Sequence, residues 1–583
     1  MKQLFKKVDY SINKLLEDIA AGDIGLPDIQ RPFVWADTKV RDLFDSMYRG
    51  YPIGYFLFWE NGVPTGHRPI DKSTGQKIPH LLIVDGQQRL TSLYSVIKGQ
   101  EIVDKEYRKR RIRIAFNPLE ERFEVSNPAL AKSAEWIGDI SELWGSAVGF
   151  FKVIERFQAQ LRQSKPEIDD ASLSAVPERL QRLHDLLHYP ATALEISADV
   201  DEEQVAEIFV RVNSKGQALN QASFILTLMS VFWDEGRAEL EQFCRNAQKP
   251  SPDGRPSPYN AFIKPQPDQL LRVSVALGFR RARLEHVYLL LRGKDLQTKE
   301  FSDEQREKQF AILKDAQKEV LDLVHWHEFL KAVAEAGYPS GRLVNSDVGL
   351  LYTYALWLIG HCDFELDLGR LRRLMARWFF MQAMTGRYTS SAESRMDEDL
   401  ALLRGPGMTA NDFERVIQSQ IDTVLTRDYW EVTLPSELST GAARSPVKFA
   451  FYAAQYLLEA PVLYSTMKVQ HWLAPVGISP KPALEAHHLF PRGYLKKRGY
   501  EDRDINQAAN LALVEWPDNL DISDAPPSEY ARRYESRFDP ATLAEMYRLH
   551  ALPERWYEMP YEDFLAERRK RMAALIREAY TRL

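Results

Sequence analysis

At 583 residues the chain is longer than one ordinary domain, so we expect two or three folding units. Its 76 Lys and Arg residues against 82 Asp and Glu residues give a formal net charge of −6, which excludes a globally basic nucleic-acid-binding protein and limits any DNA contact to local patches. The two cysteines, far apart in sequence, exclude a zinc finger and indicate a reducing environment, and the charged start and lack of a long apolar run predict a cytoplasmic protein without a membrane partner.

The N-terminal part of the chain is predicted to alternate short strands and helices. The motif Gln30-Arg31-Pro-Phe-Val-Trp follows a loop rich in Gly, Asp and Pro, and it precedes an amphipathic helix from Lys39 to Tyr48. The segment Tyr51-Pro-Ile-Gly then leads into an aromatic strand.

The next strand is predicted to run directly into a polar turn and a helix. Leu81 to Val84 has the pattern of a buried strand, and Asp85-Gly86-Gln87-Gln88-Arg89 follows it. Backbone amides at a helix N-terminus favour phosphate, Arg89 adds a planar charged fork, and Asp85 is a candidate to hold a metal or to orient water. An ordinary strand-to-helix turn explains the same residues, and the missing Gly-Lys-Ser/Thr excludes a P-loop.

A cluster of basic residues comes shortly after this helix. Arg108, Lys109, Arg110 and Arg111 fall in a turn and a strand whose side chains alternate between two faces. Such a cluster suits the phosphate backbone of DNA, which carries no sequence information. A solvated edge strand protected by its charge is an equally good interpretation.

Helical periodicity dominates from about residue 221 to 426, and a Pro-rich segment over 250–267 is predicted to be a loop between helices. The final predicted helix, from Tyr561 to Tyr580, carries Arg568 and Arg569 beside apolar residues. Its basic side is either a contact for the DNA backbone or the exposed side of an amphipathic packing helix.

The last motif contains two adjacent histidines. Glu-Ala-His487-His488-Leu-Phe-Pro is followed by Asn510-Leu-Ala-Leu-Val and then by Asn519, an order that predicts strand, loop, strand and helix start. Neighbours on a strand point to opposite faces, so the two imidazoles have different tasks. One neutral imidazole can accept a proton from water, while the other, with an amide oxygen, can hold a divalent ion.

Together these motifs resemble the GmrSD family of restriction enzymes. The Asp-Gly-Gln-Gln-Arg turn, the Gln30-Arg31 motif and the segment Ile208-Phe-Val-Arg211-Val-Asn213-Ser-Lys-Gly216 are similar to its N-terminal domain, and the C-terminal motif resembles the His-Asn-His (ββα-metal) nucleases. The resemblance implies an α+β, multidomain protein. Its parts would be a ParB/sulfiredoxin-like α/β nucleotide-binding domain (1–235), a helical middle region (236–425) and an HNH nuclease domain (426–583).

The resemblance also implies the roles of the motif residues. His488 would be the general base, His487 and Asn519 the ligands of Mg²⁺ or Mn²⁺, and Asn510 the residue that ties the loop. A nucleoside triphosphate (ATP, GTP or another NTP) would be bound by a larger set: Asp85, Gly86, Gln87, Gln88, Arg89, Gln30, Arg31, Arg211, Asn213 and Gly216.

The implied function is that of a type IV restriction endonuclease. It would cleave double-stranded phage DNA carrying modified cytosine, under the control of NTP binding or hydrolysis, and a homodimer would place two nuclease sites on the two strands. Two alternatives stay open: an SspE-like nickase and NTPase that senses phosphorothioate, and a nucleotide-dependent DNA-binding regulator with a degenerate nuclease. Many members of the family that the chain resembles carry a Lys shortly after the last Asn, whereas Leu520, Asp521 and Ile522 follow Asn519 here; this difference mildly favours the second alternative, and the intact histidine pair argues against it.

Overall fold

The computed structural model divides into two compact units. One contains residues 1–220 and 230–232, and the other contains residues 221–229 and 233–583. The structure describes residues 4–25, 33, 35–60, 80–104, 108–145, 149–198, 200, 204–205, 208, 222, 225–226, 229, 233–291, 293, 302–405, 407–473 and 484–583. Among these residues, no helix combines the length and the apolar composition needed to cross a lipid bilayer.

The first unit is built on a mixed five-stranded sheet with the strand order β1-β9-β3-β4-β2. Its strands are β1 (Phe5–Ser11), β2 (Ile24–Gly25), β3 (Phe56–Glu60), β4 (Leu81–Asp85) and β9 (Pro190–Ile196). Strand β3 pairs parallel to β9 and antiparallel to β4. Two separate hairpins are formed by β5 (Glu101–Val103) with β6 (Lys109–Arg111), and by β7 (Ile114–Asn117) with β8 (Arg122–Val125).

Five helices of this unit pack their apolar faces around the sheet and the hairpins. They are α1 (Ile12–Ala20), α2 (Asp37–Tyr48), α3 (Gln87–Lys98), α4 (Phe150–Ser164) and α5 (Asp170–His184). Helix α1 begins where the Ser11 side chain accepts a hydrogen bond from the Lys14 amide, and its Leu15 and Leu16 enter the core. The core is therefore continuous from the sheet to α5.

The second unit is mainly helical, as the periodicity predicted. Its helices α6 to α14 are Asp234–Asn246, Pro267–Phe279, Leu284–Leu291, Asp303–Val320, Leu323–Glu335, Asp347–Leu358, Leu368–Thr385, Ala392–Ala401 and Ala410–Val424. Helices α15 to α23 are Leu434–Glu437, Pro446–Leu457, Val469–Leu473, Arg492–Lys496, Asp502–Ile505, Trp516–Ile522, Pro527–Glu535, Pro540–Leu549 and Tyr561–Thr581. Helix α11 is buried on all sides from Gly349 to Leu358, which explains why that stretch has no charged residue.

Within the second unit one short hairpin interrupts the helices. Strand β10 (Leu484–His488) pairs antiparallel to β11 (Leu511–Glu515), with α18 and α19 between them in sequence and α20 directly after β11. The predicted order of strand, loop, strand and helix is thus found. The mixed α+β, multidomain organisation is confirmed, whereas the three-part division and the ParB-like and ββα-metal assignments stay predictions.

A buried histidine lies behind the hairpin, where α22 ends. His550 Nε2 is 2.8 Å from the Pro461 carbonyl oxygen, and His550 Nδ1 is 3.3 Å from Gln455 Nε2. A carbonyl oxygen can only accept, so Nε2 carries the proton and Nδ1 accepts from the amide. Burial lowers the pKa of His550 to about 4.

We expect the stability of the chain to fall as the pH drops from 7 to 5, partly through His550. Its folded-state pKa of about 4 lies below the ordinary 6.5, so the unfolded chain takes up the proton first and is favoured as the pH falls. Protonation of His550 in the unfolded chain should lower the free energy of unfolding by about 2 kcal/mol at pH 5. Urea unfolding at the two pH values should therefore show a smaller pH-dependent loss for His550→Gln than for the wild type. An equal loss in both proteins would contradict the assignment.

Candidate functional site

The hairpin β10–β11 brings the four residues of the C-terminal motif into one region. His487 pairs with Ala512 and His488 with Leu511, and beyond the last pair the Leu489 amide donates to the Asn510 carbonyl oxygen at 2.8 Å. Because side chains alternate along a strand, the two imidazoles lie on opposite faces. His487 is 4% exposed, and His488 is half-buried.

His487 contacts Asn519, which lies on α20. The His487 Nδ1 and Asn519 Oδ1 atoms are 2.7 Å apart, and the edge of the Tyr530 ring packs against the imidazole with 5.7 Å between ring centroids. Burial lowers the pKa of His487 to about 4, so the ring is neutral at pH 7. Its buried Nε2 atom has no hydrogen-bond partner within the described residues.

His488 contacts a different asparagine. Its Nε2 atom is 2.9 Å from Asn506 Oδ1, just after α19. Because an amide oxygen can only accept, Nε2 carries the proton and Nδ1 keeps a free lone pair. Burial lowers the pKa of His488, and the Asn506 hydrogen bond partly opposes that shift. His488 is therefore a neutral imidazole whose tautomer is fixed by its neighbour.

Asn506 was not predicted from the sequence. It lies in the polar connection between the two strands, four residues before Asn510, where no spacing distinguishes it from other polar residues. Only the fold, which returns this connection to the end of β10, shows that it faces His488.

Asn510 is buried and bonds the backbone of the loop that follows His488. Its Oδ1 accepts from the Phe490 amide at 2.9 Å, and its Nδ2 donates to the carbonyl oxygens of Phe490 at 3.1 Å and Ile505 at 3.0 Å. All these hydrogen bonds are to backbone groups. The Asn510 side chain therefore positions the loop and has no group left for a direct part in a reaction.

The donor atoms of His487 and Asn519 fit a small divalent cation. Neighbouring oxygen ligands around Mg²⁺ are about 3 Å apart, given octahedral geometry at about 2.1 Å, and the 2.7 Å between Nδ1 and Oδ1 is close to that spacing. An amide oxygen suits Mg²⁺ or Mn²⁺, and the neutral imidazole could bind through Nδ1 once its proton lies on Nε2 instead. Both ligands are uncharged, so the remaining ligands of a bound cation would have to supply the balancing negative charge.

Arg568 differs from the sequence prediction. The residue is fully buried, and its guanidinium donates to the carbonyl oxygens of Ala509 at 2.8 Å, Leu511 at 2.9 Å and His550 at 3.2 Å. A side chain with these bonds cannot also contact DNA, so the predicted DNA-binding role of Arg568 is wrong. Arg569 is half-buried and bonds Gln507 Oε1 at 2.9 Å, and its DNA contact stays a prediction.

In the first unit, the Asp-Gly-Gln-Gln-Arg motif forms the predicted strand-to-helix turn. Asp85 ends β4, and Gly86 has φ +94°, which L side chains rarely adopt. Gln87 and Gln88 begin α3. The N-terminal amides of this helix are therefore at the end of a central strand, and nucleotide binding there stays a prediction.

The Arg89 guanidinium donates to backbone carbonyl oxygens of its own unit, whereas the sequence predicted a free guanidinium that could contact phosphate. Its Nη1 donates to the Ile53 carbonyl oxygen at 2.6 Å, and its Nη2 donates to the Tyr55 carbonyl oxygen at 2.8 Å. The guanidinium also lies over the Phe56 ring, 5.1 Å from its centroid. Arg89 thus joins the Asp-Gly-Gln-Gln-Arg turn to the Tyr-Pro-Ile-Gly segment, two motifs that are 30 residues apart in sequence.

The basic cluster is largely paired with carboxylates. Arg108 is 3.3 Å from Asp104, and Arg111 is 3.1 Å from Asp139. Arg110 binds both oxygens of Asp37 at 2.8 Å. Lys109 is exposed on β6, and DNA binding by the cluster stays a prediction. The other predicted nucleotide contacts lie outside the described residues: Gln30, Arg31, Arg211, Asn213 and Gly216.

Comparison with known proteins supports the N-terminal resemblance. Residues 12–229 match the family described as GmrSD restriction endonuclease, N-terminal domain. An uncharacterized protein of Methanocaldococcus jannaschii is 21% identical over 548 residues, which cover 89% of this chain and 85% of that protein. The family match confirms the predicted similarity to a restriction endonuclease family and contains the Asp-Gly-Gln-Gln-Arg turn. It ends before the histidine motif.

The close approach of Arg89 to Gly54 leads to a prediction about the stability of two glycine variants. A Cβ at Gly54 would lie 2.4 Å from Arg89 Nη1, whereas a Cβ at Gly50 would meet nothing within 4 Å. Both glycines have positive φ, so Gly50→Ala should cost about 1–2 kcal/mol from backbone strain alone. Gly54→Ala should cost at least ~1 kcal/mol more, because it displaces the guanidinium from two carbonyls. Thermal unfolding of both variants measures this difference, and equal losses would show that the Arg89 contact contributes nothing.

The burial of Arg568 leads to a second prediction, about the stability and DNA binding of two arginine variants. Arg568→Met leaves three carbonyl oxygens without their donor and should lower the unfolding free energy by about 3 kcal/mol or more. The exposed Arg571, which pairs with Glu567 on the same helix, provides the control, and Arg571→Met should change stability by about 0.5 kcal/mol or less. Urea unfolding and filter binding of DNA separate the two roles. A stable Arg568→Met variant with weakened DNA binding would contradict the structural role.

Proposed function

We propose that this chain is a metal-dependent DNA endonuclease of the type IV, modification-dependent class, with an HNH-type site on β10–β11 under the control of a nucleoside triphosphate bound in the first unit. The observation that carries the proposal is the pairing of each histidine with its own asparagine beside a loop held by Asn510. A base and a ligand pair on opposite faces of one strand suit hydrolysis of a phosphodiester.

The proposed proton acceptor is His488. The Asn506 hydrogen bond keeps the proton on Nε2, so Nδ1 can accept one from a water molecule that attacks phosphorus. The lowered pKa keeps the imidazole in the neutral form at pH 7, which a base requires. Asn510 takes no direct part in this step. Its hydrogen bonds to the Phe490 backbone hold the loop that follows His488 in place.

His487 and Asn519 would hold Mg²⁺ or Mn²⁺. The cation would supply positive charge to the phosphate and to the leaving oxygen as the bond breaks. His487 contributes a neutral ring that burial protects from protonation, and Tyr530 packs against that ring while its hydroxyl donates to the Leu489 carbonyl oxygen at 2.5 Å. These contacts fix the orientation of the imidazole before metal or DNA binds.

The proposed substrate is double-stranded phage DNA with modified cytosine, and the proposed regulator is an NTP with its phosphates at the N-terminus of α3. The family match over residues 12–229 supports DNA as the substrate, because the family is described as a restriction endonuclease N-terminal domain; the modified cytosine and the NTP rest on the resemblance of the motifs. The positive φ of Gly86 allows the sharp turn from β4 into α3, and the N-terminal end of that helix is the proposed phosphate site. A homodimer would supply a second nuclease site for a double-strand cut.

The test is cleavage of cytosine-modified phage DNA and its unmodified counterpart, with Mg²⁺, with and without each NTP. Wild type should cut only the modified DNA and respond to nucleotide, and His488→Ala should lose about 10²–10⁴-fold in rate. The exposed His471 in the same unit provides the matched control, and His471→Ala should cleave like wild type. Equal cutting of both DNAs would refute modification dependence; cutting of phosphorothioated DNA alone would favour the SspE-like alternative. Binding without cutting would favour the regulator.

Asn506 gives this test a second readout. Its hydrogen bond raises the pKa of His488, so Asn506→Leu should move the acidic limb of the kcat/KM profile to lower pH and Asn506→Asp should move it to higher pH. A residue that only supported the fold would change the rate without these opposite shifts. Unshifted profiles in both variants would exclude Asn506 as a positioning residue.

A further inference from the structure

Three side chains of the second unit converge near the turn between two long helices. Glu319 is in the last turn of α9, and His325 is in the first turn of α10, directly after the connection. Cys362 is in a π-helical turn over Ile359–Asp363 that follows α11. Their ligand atoms all lie within 4.8 Å of one another, although the residues span more than 40 positions of the sequence.

The distances converge on one carboxylate oxygen. Glu319 Oε2 is 3.0 Å from His325 Nε2 and 3.8 Å from Cys362 Sγ. Tetrahedral Zn²⁺, with bonds of about 2.1 Å to nitrogen or oxygen and about 2.3 Å to sulfur, separates such atoms by about 3.4 Å and about 3.6 Å. Each observed distance is within a few tenths of an ångström of that geometry, so little movement is needed to enclose a cation.

A second imidazole lies beside this cluster. The His361 ring packs edge-on against the His325 ring, with 4.9 Å between centroids, and its buried Nδ1 has no hydrogen-bond partner within the described residues. It is the neighbour of Cys362 in the chain, on the same π-helical turn. Such turns are frequent at functional sites. His361 lies outside the group of three, so its ring would have to move toward them to become the fourth ligand.

The Cys362 thiol donates to the Glu319 carboxylate, which supplies negative charge at the point where the cluster converges. Arg280 also lies close but is paired with Asp363. A divalent cation among the carboxylate, thiolate and imidazole would replace the thiol proton, and the two negative ligands would balance its charge.

We propose that Glu319, His325 and Cys362, completed by His361, form a structural site for Zn²⁺ or a metal of similar chemistry in the helical part of the second unit. Thiolate and imidazole ligands select Zn²⁺ over Mg²⁺ or Mn²⁺, so this site is distinct in kind from the one proposed on His487 and Asn519. Its role is to join the turn between α9 and α10 to the π-helical turn. Two histidines, one thiol and one carboxylate leave no open position for a substrate.

Cobalt provides a direct test because Co²⁺ bound to a thiolate absorbs in the near ultraviolet, whereas a site of histidine and asparagine gives no such band. The full chain is stripped with a chelator, titrated with Co²⁺ and then with Zn²⁺, and measured by absorbance, elemental analysis and thermal unfolding. We expect one thiolate-bound Co²⁺ per chain, displacement by Zn²⁺, and a higher unfolding temperature with metal.

The two cysteines of the chain supply a matched pair of variants. Cys362→Ser should abolish the thiolate band and weaken Zn²⁺ binding by at least ~10-fold, whereas Cys244→Ser, which changes a buried cysteine elsewhere, should keep both. If Cys362→Ser fails to fold, Glu319→Gln serves as the second test. It preserves side-chain size and should weaken Zn²⁺ binding. His487→Ala should leave the band intact, which separates this site from the nuclease.

The proposal is overturned if the wild type gives no thiolate band, or if the band survives in Cys362→Ser. Zinc binding that disappears in His487→Ala and persists in both cysteine variants would likewise overturn it, because the metal would then belong to the nuclease site.

Discussion

The hairpin region of the second unit depends on one buried guanidinium. Arg568 donates to the carbonyl oxygens of Ala509 and Leu511, which lie on either side of Asn510, and to His550 at the end of α22. Its charge is accepted by backbone dipoles, and burial lowers its pKa to about 9. Losing the donor would leave the carbonyls unsatisfied, so the position of Asn510 is linked to the last helix of the chain.

The geometry of the two histidines depends on this position of Asn510. Asn510 holds the loop after β10, and the loop returns Asn506 to His488, while α20, which starts at the end of β11, presents Asn519 to His487. Each imidazole thus has one nitrogen bonded to an amide oxygen, but it is Nε2 in His488 and Nδ1 in His487. The two rings therefore carry their protons on different nitrogens. In the proposed mechanism His488 would use its Nδ1 lone pair as the base, whereas His487 would move its proton to Nε2 before Nδ1 could bind a metal.

The sequence predicted the order of elements because that order depends on local signals. The apolar approach to His487, the short run from Leu511 to Val514 and the Pro517 turn are read from neighbouring residues, and the structure has strands and a helix at these places. It did not predict Asn506, whose importance depends on a contact across the loop. The cluster of Glu319, His325 and Cys362 was not predicted from the sequence either, because these residues have no recognised ligand spacing and only tertiary packing brings them together.

Arginine is the residue for which sequence and structure differ most, for a physical reason. Arg89 and Arg568 each look like a phosphate contact in sequence, yet each donates to backbone carbonyls inside its own unit. A guanidinium has five donors in a planar fork, so one side chain can join two or three segments that a lysine could not. The same geometry makes it suitable for phosphate, and composition cannot distinguish the two uses. With a formal net charge of −6 and with Arg110 and Arg111 paired with carboxylates, the DNA binding that the proposed function requires would have to come from the remaining exposed cations and from the proposed metal site. The proposed nuclease would therefore bind DNA weakly until another signal, such as the proposed nucleotide in the first unit, added to that attraction.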